Sequence, residues 1–569
     1  MTATKLTFAS VRDAGDWQAC PGCRVLLYRK RLARDLGVCA ECGYHTPVTA
    51  RERIVQLVDP GTFAELTGEA IPGNQADWDP IGFGGQRHYG KSLLVAGEKS
   101  GEAEAVVFGT AEVGGFGLVI AAMDFRFMGG SMGAAVGECV TVAAERARRT
   151  RTPLLLVTAS GGARMQEGCL SLMQLAKTAQ AMAELREDGV LSVCVLTNPT
   201  FGGVSASFAS LGHIVVAEAG ALIGFAGPRV IGQTVRQELP DGFQTAEFLH
   251  QHGMVDEVVP RAGLRPLVQR LLRVHRPDDR RPGAGTGRSP VRRAKRLGRR
   301  DPWDVVQRAR HIDRPSTRDY LNIAFDDFCE LSGDRCFGND PAVVGGPARI
   351  AGRRVMVIGT QKGHSTTDRL ANNFGMAHPE GYRKAHRLME YAASLRLPVV
   401  CLVDTPGAFP GIEAEQRGQS AAIAECIMRS GTLPVPIVSV ITGEGGSGGA
   451  LALATADRVL MLENGFYSVI SPEGCAAILW RSADEAPEAA RALRITAPEL
   501  LDLGIVDGVV PEPEGGAHVA PDVAAENLRK AVLEYLDELA GVSTRELLSR
   551  RHQRFRAYGK WQESEVRSA

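Results

Sequence analysis

Thr442-Gly-Glu-Gly-Gly-Ser-Gly-Gly-Ala-Leu-Ala-Leu-Ala454 decides how the rest of the chain is read. It follows a buried-strand signal, Val435-Pro-Ile-Val-Ser-Val-Ile441, and leads into small apolar residues able to start a helix. A strand, paired glycines and a helix start leave backbone N–H groups free and pointing one way, an end that attracts negative charge. Glycine also removes the Cβ that would hold a substrate oxygen away from those donors. The design occurs a second time: Val190-Leu-Ser-Val-Cys-Val-Leu196 runs into Thr197-Asn-Pro-Thr-Phe-Gly202-Gly203-Val204-Ser-Ala-Ser-Phe-Ala209. Superposing Gly202 and Gly203 on Gly448 and Gly449, an offset of 246 residues, aligns strand, turn and helix start without a gap. One Gly-Gly turn is weak, since glycines punctuate loops everywhere; two in matching context point to a duplicated fold with two anion-stabilising sites.

A second loop matches as well. Leu154-Leu-Leu-Val-Thr-Ala-Ser-Gly161-Gly162-Ala163-Arg164-Met-Gln-Glu-Gly168 parallels Pro398-Val-Val-Cys-Leu-Val-Asp-Thr-Pro-Gly407-Ala408-Phe-Pro-Gly411. Each is a strand ending in a turn of small residues, so in each half two turns at strand C-termini converge on one crevice. Outward from these loops, short apolar runs predict strands at 91–96, 105–108, 118–123, 154–158 and 191–196 in half one, and at 355–359, 399–403, 437–441 and 459–462 in half two. Helical periodicity separates them at 133–149, 170–187, 380–396, 411–430 and 523–539. This alternation is α/β, with parallel strands joined by crossover helices.

At 569 residues the chain exceeds one core. Sixty-five basic and 65 acidic side chains cancel, so no global field argues for nucleic acid or a membrane surface. There is no N-terminal secretory pattern, and the apolar runs are too short or too glycine-broken to span a bilayer, which makes the cytoplasm the expected location. Eight of the 12 cysteines stand singly in apolar segments. The other four, Cys20-Pro-Gly-Cys23 and Cys39-Ala-Glu-Cys42, have 15 residues between the pairs. That spacing matches a four-thiolate zinc ribbon over residues 1–46; with four sulfurs filling the shell the metal is structural. The competing reading, disulfides, sits badly with a large cytoplasmic chain.

From 276 to 300 Pro, Gly and Arg dominate and apolar periodicity vanishes, the composition of a solvated basic linker. It divides residues 47–275 from residues 301–569. The basic run Arg550-Arg-His-Gln-Arg-Phe-Arg556 is expected on a solvated or subunit-facing surface.

Paired N–H donors suit a substrate whose oxygen gains negative charge, such as an enolate or a tetrahedral intermediate. No nucleophile accompanies them. Ser205 lacks the Gly-x-Ser-x-Gly elbow, and Gly443 and Gly448 have Walker spacing but Gly449 stands where its lysine belongs. His213 lies in an apolar run and reads as a core or interface histidine rather than a base; Asp404 and Arg164 sit at strand ends, near enough to be weighed as substrate contacts. Donors without an acid or base favour a reaction whose proton acceptor arrives with a cofactor or second substrate.

Longer stretches carry a family resemblance. Trp17-x-x-Cys20-Pro-x-Cys23, Cys42-Gly-Tyr-His45, Asp124-Phe-Arg-Phe-Met-Gly-Gly-Ser-Met-Gly133 and Ser160-Gly-Gly-Ala-Arg-Met-Gln-Glu-Gly168 resemble the β subunit of bacterial acetyl-CoA carboxylase carboxyltransferase. Asn373-Phe-Gly-Met376, Pro379-Glu-Gly-Tyr-Arg-Lys384, Asp404-Thr-Pro-Gly-Ala408 and Gly443-Glu-Gly-Gly-Ser-Gly-Gly449 resemble its α subunit. The chain thus resembles a β–α fusion. The resemblance implies two tandem crotonase-like (ClpP/crotonase spiral) domains behind the zinc ribbon. It implies transfer of a carboxyl group from N-carboxybiotin, on a separate carrier protein, to acetyl-CoA, giving malonyl-CoA for fatty acid synthesis. Gly202 and Gly203 would then hold the thioester enolate oxygen, and Gly448 and Gly449 the ureido oxygen of biotin. Gly161, Gly162, Ala163, Arg164, Gly407 and Ala408 would line the substrates. Biotin relieved of its carboxyl group would take the α-proton.

The sequence departs from the family at Thr360-Gln361, where a histidine commonly precedes the glutamine, and at His364-Ser-Thr-Thr-Asp368, which replaces a more charged segment. It lacks an Ala-Met-Lys-Met biotin-attachment sequence and an ATP-grasp region, so a biotin carboxylase and a biotin carboxyl carrier protein are the expected partners. A homodimer is the expected assembly. Propionyl-CoA or another short acyl-CoA is the alternative substrate. Nucleic-acid binding through the ribbon is the alternative class, disfavoured by neutral charge and the lack of interleaved aromatics.

Overall fold

The computed structural model describes residues 16–71, 78–83, 88–235, 238–279 and 286–559. The chain divides into two compact units, one of residues 1–250 and 255–270, the other of residues 251–254 and 271–569.

Unit 1 is built on a seven-stranded sheet ordered Ala64–Glu65, Val106–Val113, Phe116–Met123, Leu154–Ser160, Ser192–Thr200, Ile214–Glu218, Glu257–Val259. Its first two pairings are antiparallel and the other four parallel. The central strands are buried nearly throughout, as expected where connections cover both faces of a parallel sheet. Helices Ala134–Thr150 and Cys169–Glu187 supply the crossovers; Val136, Val140, Met182 and Leu185 pack with Leu156, Leu196 and Phe208 in the core. Truncating a side chain such as Leu156 to alanine costs about 2–5 kcal/mol, depending on how far the cavity collapses. The stretch 91–96, expected as a strand, lies in helix Tyr89–Ser100. Leu93 and Ala96 are buried beside Tyr89 and Ser100, so its apolar residues follow a helical face rather than alternation.

Unit 2 repeats the plan. Its sheet runs Asp327–Phe328, Val343–Ile350, Arg353–Thr360, Val399–Thr405, Ile437–Gly446, Arg458–Leu462, Gly508–Val510, with Phe466–Ser468 pairing to the end of 437–446. An eight-residue antiparallel hairpin again precedes the parallel strands. The register shifts between Val403 and Thr405, as it does between Thr158 and Ser160 in unit 1. The region expected as one helix, 411–430, is two, Ile412–Gln416 and Gln419–Thr432, broken at Gly418 with φ of +83°.

Two surface expectations hold only in part. Of the stretch 276–300, residues 280–285 lie outside the described residues; most of the remainder is solvent-exposed, as expected, but its middle is pinned within unit 2. Val291 exchanges backbone hydrogen bonds with Val509 at 2.7 and 2.9 Å, Pro290 is buried, and Arg292 lies over the Tyr535 ring. The basic run at 550–556 lies in helix Thr544–Ala557, where Arg550, His552 and Arg556 are exposed as expected but Arg551 is fully buried. Its guanidinium donates to both Asp457 oxygens, at 2.8 and 2.6 Å, and to the carbonyls of Ser430, Leu433 and Val435. Charge alone could not distinguish a solvated arginine from one committed to a buried carboxylate.

The ribbon belongs to unit 1. Strands Trp17–Ala19 and Leu26–Tyr28 form a hairpin, and Val38 and His45 form a bridge. His45 meets Glu218 at 2.8 Å, where that carboxylate also accepts from Arg53 and Arg261, each at 2.6 Å. Burial alone would raise the Glu218 carboxyl; His45, Arg53 and Arg261 outweigh it and bring it down to about 2. The charged carboxylate therefore stabilises the fold fully above its unfolded value near 4.5, and the contribution fades as pH falls toward 2, by roughly 3 kcal/mol. Glu218→Gln should flatten that acid limb in pH-dependent thermal unfolding. An unchanged acid limb would show that the cluster contributes nothing.

Candidate active site

In each unit the two small-residue turns meet through positions that have no side chain. Gly202 has φ of +61°, and a Cβ there would lie 2.9 Å from Gly162 Cα. In unit 2 a Cβ on Gly449 would come within 2.6 Å of Ala408 N and Gly407 C, and one on Gly446 within 2.0 Å of the Pro406 carbonyl oxygen. Strand-end hydroxyls hold the turns alike: Gly162 N–H donates to Ser160 Oγ at 3.0 Å, and Gly407 N–H to Thr405 Oγ1 at 3.2 Å. The duplication therefore reaches down to single hydrogen bonds.

The hydrogen bonds also narrow the list of donors. Gly202 N–H is already committed to the Phe225 carbonyl at 2.8 Å, and Gly161 N–H to that of Gly129 at 2.8 Å. Met132 N–H bonds the Gly162 carbonyl and Arg164 N–H bonds that of Met132, leaving Ala163 N–H with no acceptor among the described residues. Gly203 N–H sits in the first turn of helix Gly202–Ser205, beyond reach of any intrahelical carbonyl. Ala163 and Gly203 thus supply the two open donors of unit 1. In unit 2 Ala408 N–H likewise has no acceptor among the described residues, and Gly448 and Gly449 N–H both lie in the first turn of helix Ser447–Ala454 with no carbonyl partner outside it. Gly202 and Ser447 each open their helix with a left-handed backbone, at φ of +61° and +54°.

Arg164 is corrected. Its guanidinium is fully buried, and all three of its nitrogens are bonded within unit 1. It donates to Glu104 at 2.5 and 2.8 Å, to Ser131 Oγ and carbonyl at 3.1 and 2.8 Å, and to Tyr89 OH at 3.1 Å. Burial opposes its charge, and Glu104 more than restores it. Asp404 is likewise enclosed: Oδ1 accepts from Lys362 Nζ at 2.7 Å and from Glu444 N–H at 2.8 Å. Lys362 also pairs with Glu444, which in turn pairs with Arg310 at 2.5 Å. Sequence reasoning did not single out Lys362 and Glu444 as a site; the available signal was a lysine and two acids at the ends of otherwise apolar strands. A cavity of about 310 Å³ is lined by Lys362, Asp404, Glu444 and Arg310 of this cluster together with Arg314 and Phe374. His213 is a core residue, its Nδ1 within 2.8 Å of Ser192 Oγ.

The departing segment 364–368 has a local role: Ser365 and Asp368 form a capping box on helix Thr366–Ala371, and His364 Nε2 lies 2.7 Å from Asp319.

Cys20, Cys23, Cys39 and Cys42 place their sulfurs within 4.8 Å of one another, with Cys20 to Cys42 at 3.6 Å and Cys23 to Cys39 at 3.9 Å. Sulfurs on a tetrahedral zinc with bonds of about 2.3 Å stand roughly 3.8 Å apart, whereas a disulfide needs about 2.05 Å. The four thiols fit structural zinc. No helix among the described residues is long and apolar enough to cross a membrane.

Comparison with known proteins follows these divisions. Residues 17–42 match the acetyl-CoA carboxylase zinc finger domain, and residues 291–559 the family described as acetyl co-enzyme A carboxylase carboxyltransferase-like. The acetyl-coenzyme A carboxylase carboxyl transferase subunits beta/alpha of Salinispora tropica is 57% identical over 551 residues, 95% of this chain and 96% of that one. Its counterpart in Clostridium tetani is 42% identical over 546 residues, 96% of this chain and 93% of that one. The separate subunit alpha of Thermus thermophilus is 58% identical over 262 residues, 46% of this chain and 83% of that one. Among solved structures, transcarboxylase 12S with methylmalonyl-coenzyme A and methylmalonic acid bound shares the fold. It has a TM-score of 0.68 at 23% identity, over 90% of this chain and 92% of that one.

Proposed function

Because the chain belongs to the acetyl-CoA carboxylase carboxyltransferases, in the form that joins subunits beta and alpha in one polypeptide, we propose that it is the carboxyltransferase component of that enzyme. It moves a carboxyl group from N-carboxybiotin on a carrier protein to acetyl-CoA, giving malonyl-CoA. The observation that carries this reading is the pair of open N–H donors repeated in both units, each held by turns that touch without side chains. We assign the enolate oxygen of acetyl-CoA to Ala163 and Gly203, and the ureido oxygen of biotin to Ala408 and Gly449. Both oxygens gain negative charge only as transfer proceeds, so fixed donors favour the transition state over the ground state. The carrier's biotin supplies the carboxyl group and, relieved of it, the base. Among the named donors the chain offers only neutral backbone groups, so its own part is to orient the two substrates and hold charge. The reading assigns residues 47–275 to the β-like role and 301–569 to the α-like role.

Purified chain supplied with carboxylated carrier and acetyl-, propionyl- or butyryl-CoA tests the reaction. Malonyl-CoA formation fastest with acetyl-CoA is expected; turnover of propionyl-CoA alone would shift the substrate, and no transfer from carboxylated carrier would reject the reading. A two-plus-two arrangement of β and α subunits, carried over to a fusion, gives a homodimer. Analytical ultracentrifugation should show twice the chain mass, and a strictly monomeric active species would refute it.

A further inference from the structure

The duplicated turns are braced by different buried cations. Aligned by their turns, Ala163 and Arg164 of unit 1 correspond to Ala408 and Phe409 of unit 2, so unit 2 has an aromatic ring where unit 1 has its buried guanidinium. Conversely, Lys362, Asp404 and Glu444 correspond to Phe125, Ala159 and Pro199, none of them charged. The strands Phe116–Met123 and Arg353–Thr360 supply the first correspondence, and the registers of the strands that lead into the turns supply the others. Each half thus holds a charge cluster at its turns, anchored at a different point of the same frame.

In unit 2 the cluster joins the ends of three neighbouring strands. Lys362 stands two residues beyond Arg353–Thr360, Asp404 lies near the end of Val399–Thr405, and Glu444 near the end of Ile437–Gly446. Asp404 N–H also donates to Thr360 Oγ1 at 2.6 Å. Asp404 is four residues before Ala408 and Glu444 five before Gly449, with backbone packed on backbone between them at Gly446 and Pro406. A displacement of Asp404 against Glu444 therefore passes straight into the separation of the two donors.

We propose that Lys362 is a positioning residue that fixes the spacing of Ala408 N–H and Gly449 N–H on the biotin side. The inference rests on the carboxyltransferase reading. It does not make Lys362 a group that touches substrate, and it names a cause for the charge difference between the two halves.

The test uses the full chain running in reverse, with malonyl-CoA as donor and free biotin as acceptor, so that the products are acetyl-CoA and carboxybiotin. Lys362→Met should raise KM for biotin about 10-fold or more and lower kcat about 10²-fold, the loss expected when a fixed donor is misplaced. Acetyl-CoA affinity by calorimetry should stay within about 2-fold, because its donors lie in unit 1. A purely structural role would reduce the active fraction, lowering kcat without moving any KM. Unchanged KM for biotin, or equal loss of acetyl-CoA affinity, would overturn the proposal. If Lys362→Met fails to fold, Glu444→Gln, which keeps the lysine paired with Asp404, carries the same expectations and the same refutations. Inactive wild-type chain would instead count against the proposed function.

Discussion

Gly449→Val should abolish carboxyl transfer while leaving acetyl-CoA binding close to normal. The substituted Cβ would sit 2.6 Å from Ala408 N and Gly407 C, and both are backbone atoms that cannot turn aside. The side chain therefore wedges the turns apart and separates the two donors. Loss of one such donor costs about 10²–10³ in rate, roughly 3–4 kcal/mol, and a wedge that displaces both should cost more. Gly203→Val gives a contrasting result. Its Cβ meets Leu175 Cδ1 at 2.9 Å and Met132 Cε at 3.4 Å, the ends of flexible side chains. That variant should fold, retain biotin binding, and lose activity with a weakened or misplaced thioester. Titrating each variant with acetyl-CoA and with a biotin analogue reads the two sides separately. The opposite pattern of binding losses would reverse the assignment of halves, and two active variants would place the chemistry elsewhere.

The second large effect concerns the metal. About one zinc per chain is expected on Cys20, Cys23, Cys39 and Cys42, by analogy with ribbons in which binding supplies roughly 10–16 kcal/mol of apparent folding energy. Chelation, or Cys39→Ser, should unfold the ribbon and free His45 from Glu218. The unit 1 sheet should survive, because its own core, including Leu156, Leu196 and Phe208, involves no ribbon residue. Elemental analysis finding no zinc in well-folded protein would sink this expectation. Collapse of both units on chelation would show that the ribbon stabilises more than itself.

Much of this architecture was legible in residue order alone. The glycine pairs, the strands before them and the cysteine spacing each impose a short-range requirement, and the structure meets each one. What sequence could not show is direction. Arg164 lies between the turn and the following helix, where either a substrate contact or an internal brace fits, and only its bonds to Glu104 and Ser131 decide for the brace. Gly202 and Gly203 are identical in type; only the Phe225 carbonyl, brought across by the fold, separates a committed N–H from an open one. The burial of Arg551 and the anchoring of Val291 and Arg292 were likewise out of reach, because their partners Asp457, Val509 and Tyr535 lie far along the chain.

The unequal bracing of the two halves also restricts the mutational routes open to the chain. Removing Lys362 alone strands the buried Asp404 carboxylate and leaves Glu444 to Arg310, and removing one partner of a buried pair typically costs about 3–5 kcal/mol. That is a large part of the roughly 5–15 kcal/mol by which a domain exceeds its unfolded state. Drift from one half's pattern toward the other must therefore pass through paired changes, or through neutral stand-ins such as glutamine, rather than through single charge losses. Sites 362, 404 and 444 should therefore change together, or by way of neutral polar residues, more readily than by single losses of charge.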